Sequence, residues 1–140
     1  MDRKEQIRLI EAHLRGYKTY LIGMKNVQES LEEILPSTNS NTTCQGASVL
    51  DNVVLERLNS SRAIYLREVL NTYKTIVHSI EDAVNALNDD EKDLIKYRYF
   101  EGLSVEKTAQ HLGCSTQNCF KIRVQALDKL LISLNNLQHM

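Results

Sequence analysis

Towards the C-terminal end of the chain, Thr116, Gln117 and Asn118 are followed by Lys121 and Gln125, so that helical spacing sets these polar groups about a turn apart along one side. An amide donates and accepts at once, which suits the edge of an adenine, and a lysine ammonium suits guanine or a phosphate. Ser104, Ser115 and Arg123 complete a set able to meet the bases and backbone of double-stranded DNA. The chemistry is recognition, with no bond made or broken.

Such a set needs a rigid support, and residues 87–134, LNDDEKDLIKYRYFEGLSVEKTAQHLGCSTQNCFKIRVQALDKLLISL, divide into three helices by their own punctuation. Asn88 caps the first, with Glu91 at the third helical position reaching back in a capping box, and Asp89, Asp90 and Glu91 favour the positive end of its dipole. Gly102 ends it. Ser104 caps a second helix of about two turns that stops at Gly113, a residue suited to the left-handed conformation, and Ser115 caps the third. Cys119, Ile122, Ala126 and Leu130, with Leu127 and Leu134 beside them, form an inward face opposite the polar one. A short helix, a Gly-containing turn and a longer helix make a helix-turn-helix, and small Ala109 suits its tight crossing.

The run Leu87, Glu91, Leu94, Ile95, Arg98, Tyr99, Gly102, Leu103, Ser104, Glu106, Ala109, Leu112, Gly113, Ser115, Ala126, Leu127, Lys129 and Leu130 resembles region four of bacterial sigma factors, the part that reads the upstream promoter element. Thr108 and Cys119 depart from it, standing where larger apolar residues are usual, and Gln125 stands where a basic residue is common. The rest of the chain has no Trp and no aromatic and basic cluster of a promoter-melting region. Its layout resembles instead the phage late-transcription activators of the RinA and ArpU type: an N-terminal helix, a polar linker, Ser48-Val49-Leu50-Asp51 opening a second helix, then a C-terminal sigma-like module. That resemblance implies a phage or prophage activator working with host RNA polymerase.

Upstream, Ile7, Ile10, Leu14, Tyr17, Leu21, Met24, Gln28, Leu31 and Leu35 recur at alternating spacings of three and four, a heptad seam that predicts one long helix stopped by Pro36. Residues 36–46, PSTNSNTTCQG, read as a linker. Val49, Val53 and Leu58 lead into a second seam at Leu66, Val69, Tyr73, Ile76, Ile80, Ala83 and Leu87, with Asn59-Ser60-Ser61 as a candidate break. The expected architecture is all-α: two long amphipathic helices over 1–88, then the three-helix module over 89–140. The long helices either fold back as an antiparallel hairpin or pair with a second copy, and a seam of four heptads favours a homodimer.

Composition fits this reading. The chain has 140 residues, five Gly and one Pro, enough length for a core without staples and too few turn residues for a β fold. Cys44, Cys114 and Cys119 are odd in number with no CxxC pair, so a reducing cytoplasm is expected, and the triplets at Asn41 and Asn59 read as accidental glycosylation matches. The charged first fifteen residues exclude a secretory signal, and no segment has the length and hydropathy of a membrane span. The net charge of −1 argues against nucleic-acid binding, which phosphate contacts dominate. Its distribution answers in part: residues 89–106 carry three basic and six acidic groups, whereas 107–140 carry Lys107, Lys121, Arg123 and Lys129 against Asp128.

Other candidates carry less. His111, Cys114 and Cys119 have spacings that match no metal site, and His13 and His78 read as ordinary helical residues; Phe120 could touch a thymine methyl or pack beside the core, and the core is the expectation. With no phosphate loop and no Ser, His and acid arrangement, neither an enzyme nor a cofactor is expected. An adapter that binds RNA polymerase without touching DNA is the competing class.

Overall fold

In a computed structural model, which describes residues 2–39 and 49–139, the chain is all-α, and no strand occurs among those residues. Six helices follow in order: α1 (Arg3–Arg15), α2 (Tyr17–Asn39), α3 (Val49–Asn85), α4 (Asp89–Ile95), α5 (Val105–Leu112) and α6 (Thr116–Ser133). A π-helical turn, Lys96–Phe100, extends α4, and a 3-10 turn, Asn135–His139, follows α6. No helix is long and apolar enough to cross a membrane among the described residues.

Packing groups the chain into two units, one formed by Met1–Tyr20 with Thr75–Met140 and the other by Leu21–Lys74. The first unit thus reaches across the boundary drawn at residue 88 from sequence, taking in α1 and the last turns of α3. Its core holds Ile10 and Leu14 of α1, Ile76, Ile80 and Ala83 of α3, Leu94 and Ile95 of α4, Tyr99, and Ala126, Leu127 and Leu130 of α6. Ile10 and Leu14 are almost wholly buried, and apolar burial of that completeness stabilises by about 1.5–3 kcal/mol per side chain. The first part of the N-terminal seam, Ile7 to Tyr17, therefore serves the unit that carries the helix-turn-helix.

In the second unit Leu31 and Ile34 of α2 share a buried cluster with Ala63 and Leu70 of α3, flanked by Met24, Val27 and Leu66. Gly23 sits so close to Tyr73 that an added Cβ would lie 3.0 Å from its ring, so α2 and α3 run antiparallel within one chain.

Four local expectations need correction. The first long helix divides at Gly16, with φ −82° and ψ −1°, although its N–H still reaches the Ala12 carbonyl at 3.0 Å. In α2 the inward stripe departs from the expected seam. Met24, Val27, Leu31 and Ile34 face the cluster, while Leu21 and Gln28 of the expected seam are exposed. Pro36 does not stop α2, which runs to Asn39; a proline removes one backbone donor, and a helix near its end survives that loss. Asn59-Ser60-Ser61 does not break α3, because residues of middling helix propensity cost only tenths of a kcal/mol each, roughly, within a long helix. Of the linker expected at 36–46, the first four residues continue α2; the remainder, with Asn41 and Cys44, lies outside the described residues.

Candidate nucleic-acid interface

Each helix of the module is fixed at its ends by local chemistry. The Asn88 side chain accepts from the Glu91 N–H at 2.9 Å while the Asn88 N–H donates to the Glu91 carboxylate at 3.3 Å, closing the capping box on α4. The same Glu91, 1% exposed, takes a 2.6 Å bond from Lys129 of α6. The turn after α4 widens, with the Glu101 N–H donating to the Lys96 carbonyl at 2.9 Å. Gly102 then reverses the chain at φ +72°, and the Arg98 guanidinium donates to the Leu103 carbonyl at 3.1 Å.

Ser104 accepts from the Lys107 N–H and caps α5. At the other end the Gly113 N–H donates to the Gln110 carbonyl and the Cys114 N–H to that of Ala109, the paired bonds of a Schellman ending, with Gly113 at φ +69°. Ser115 accepts from the Asn118 N–H and starts α6 one residue later. Thr108 and Ala109 are buried where α5 meets its neighbours, so the small residue does allow close approach. Cys119, Ala126, Leu127, Leu130 and Leu134 are buried and Ile122 is half-buried.

The opposite side of α6 is open. Thr116, Gln117, Asn118, Lys121 and Gln125 are exposed, as are Ser104 and Ser115, whose hydroxyls are already engaged as caps. Ser115 to Asn118 form the opening of α6, Lys121 and Gln125 follow at one-turn intervals, and Ser104 stands apart at the start of α5.

Arg123 does not join them. Its guanidinium turns inward to the Glu11 carboxylate of α1 at 2.9 Å and to the Tyr99 hydroxyl at 3.1 Å, and Tyr99 donates to the same carboxylate at 2.7 Å. Burial alone would raise the Glu11 pKa, but the bonds from Tyr99 and Arg123, with the charges of Arg123 and Arg15, outweigh it and hold the carboxyl below its usual range. The positive charge of 107–140 is accordingly thinner than its count: Arg123 and Lys129 are paired to acids, Asp128 is paired to Arg3, and among the described residues Lys107 and Lys121 have no ion-pair partner.

The open face also carries two large apolar residues, of which only Val124 escaped sequence reasoning. Phe120, expected beside the core, is 51% exposed, and Val124 is 49% exposed. Their place, three residues from Gln117 and from Lys121 respectively, was the available signal. His111 stacks on Tyr97 and His13 meets the Tyr20 hydroxyl at 3.0 Å; neither joins a group of metal-binding side chains among the described residues.

Residues 78–130 match the family model for Sigma-70, region 4. The region-4-like module so defined starts at His78 in the last turns of α3 and ends at Leu130 of α6, and it contains every cap described above. No curated protein and no solved structure matches the chain. Within the region-4-like helix-turn-helix, α5 is the first helix and α6 the second.

Proposed function

We propose that the chain is a sequence-specific DNA-binding transcription regulator, a phage or prophage activator of late genes that works with host RNA polymerase in the cytoplasm. In this reading α6 enters the major groove from its capped end, Gln117, Asn118 and Gln125 meet base edges, and Lys121 meets guanine or phosphate. Ser104, Ser115 and Thr116 lie along the sugar-phosphate backbone, which α5 crosses. Residues 89–140 supply the reading surface, and α1 together with the end of α3 braces it.

The observation that carries this proposal is the exposed, mostly polar side of a helix whose opposite side packs into the core, within a region-4-like module. One module with few unpaired cations binds modestly, so two are needed, and a homodimer through the Leu21–Lys74 unit supplies the second. Leu58, Ile64 and Tyr65 of α3 and Ile22 of α2 are each more than half exposed there, apolar surface that a second copy would cover. The experiment is a gel-shift titration of the full chain against the DNA upstream of its own gene, with Gln117→Ala and Lys121→Ala compared. Loss of selectivity in the first, and a salt dependence shallower by about one unit in the second, are the expected results. Unaltered binding in both would remove α6 as the reader.

Exposed carboxylates at Asp89, Asp90, Asp93, Glu101 and Glu106 favour a second reading, an adapter that holds RNA polymerase without touching DNA. Capture of polymerase from nuclease-treated lysate, with no duplex bound by the purified chain, selects it.

A further inference from the structure

Phe120 and Val124 stand one turn apart on the open side of α6, each about half exposed, between the polar side chains of Gln117, Lys121 and Gln125. The core lies on the other side of the helix, so two large apolar groups are held in water where small polar ones would serve solubility better. Two half-exposed side chains offer far less than the roughly 800 Å² per partner of a stable protein interface, and Ile132, the other exposed large apolar residue of α6, lies two turns beyond Val124.

We propose that Phe120 and Val124 each read the 5-methyl group of a thymine in the major groove. This rests on the DNA-reading role of α6 proposed above and adds the base it selects. The thymine methyl is the apolar feature that the major groove presents, and Phe is among the side chains that match it. Four residues of helix advance about 6 Å, close to two base-pair steps, so the two side chains reach separate thymines of one short element. Gln117, a turn before Phe120, is placed for an adjacent adenine. The scarcity of unpaired cations on α6 fits such a reader, because discrimination through methyls and amides needs little phosphate neutralisation.

The test uses the full chain. A duplex is enriched from a randomised pool, its affinity is measured by fluorescence anisotropy, and each thymine is replaced singly by deoxyuridine, which deletes the methyl and leaves the pairing intact. The expected result is an affinity loss of about fourfold at each of two positions. Phe120→Ala should abolish the uracil penalty at one position and Val124→Ala at the other, with Phe120→Leu retaining part of it and the salt dependence unchanged in all three. Each penalty is a ratio within one variant, so a variant that folds poorly still reports. A bound duplex indifferent to uracil at every position, or penalties that persist in both alanine variants, overturns the inference and leaves the DNA-reading role standing. A pool from which nothing is enriched overturns both.

Discussion

Glu11 and Arg123 are 112 residues apart in the chain, yet their side chains meet at 2.9 Å and tie the N-terminal helix to the recognition helix. Tyr99 completes the contact by donating to the Glu11 carboxylate and accepting from the Arg123 guanidinium. Apolar burial of Ile10 and Leu14 provides most of the attachment of α1, and the polar triad fixes its register on α6.

Arg123→Met should therefore act on stability and leave DNA reading alone. It strands a mostly buried carboxylate with Tyr99 and with Arg15 at 3.7 Å, and the expected loss is about 2 kcal/mol in urea unfolding. The salt dependence of binding should match that of the unchanged chain. A preserved stability with a shallower salt slope would show Arg123 on phosphate instead.

The triad also sets a pH response on both sides of neutrality. Glu11 is held below 4.5, so its contribution is complete above that value and is lost as pH falls through the lower folded value; Glu11→Gln should remove that acid-side slope. Burial, then the bond and charge of Glu11, push the Tyr99 pKa up to about 12; burial, then the bond and charge of Glu81, do the same for Tyr17. Both contributions are intact below pH 10 and are lost as pH rises from 10 towards 12. Tyrosinate absorbance of the folded chain should show two late-ionising groups, one of them missing in Tyr99→Phe.

Thr108 is fully buried and its hydroxyl has no hydrogen-bond partner among the described residues. Thr108→Val keeps the shape and deletes the stranded group, so unfolding free energy should rise by about 1 kcal/mol. A fall measured by the same urea titration would mean that the hydroxyl is satisfied.

Gly113→Ala should lower stability by about 1–2 kcal/mol, measured by thermal or urea unfolding. Its added Cβ would meet nothing within 4 Å, so the whole effect is the cost of φ +69° for a residue with a side chain. Gly102→Ala, at φ +72° and equally unobstructed, should cost a similar amount.

The ends of the helices were readable in the sequence because a cap needs partners only three or four residues away: Asn88 with Glu91, Ser104 with Lys107, Ser115 with Asn118. The buried stripe of α6 was readable for the same reason of short period. Arg123 was not, since its type and its neighbours allow a phosphate contact and only the distant Glu11 decides against it. The inward stripe of α2 departs from the expected seam at Gln28, a difference that spacing alone does not reveal because Met24 and Leu31 belong to both registers. Pro36 and Asn59-Ser60-Ser61 misled in the opposite sense, since α2 runs past the first and α3 through the second. Phe120 shows the limit of residue type, an aromatic that hydrophobicity assigns inside and the fold leaves outside.

Because Met1–Tyr20 and Thr75–Met140 build a single body, the opening segment of a nascent chain has no finished surface to settle on until the closing helix has left the ribosome. Ile10 and Leu14 must wait for Leu127 and Leu130. Excising residues 89–140 as a minimal reader would leave a fragment with its apolar flank bare, so engineering of this protein has to carry both extremities together.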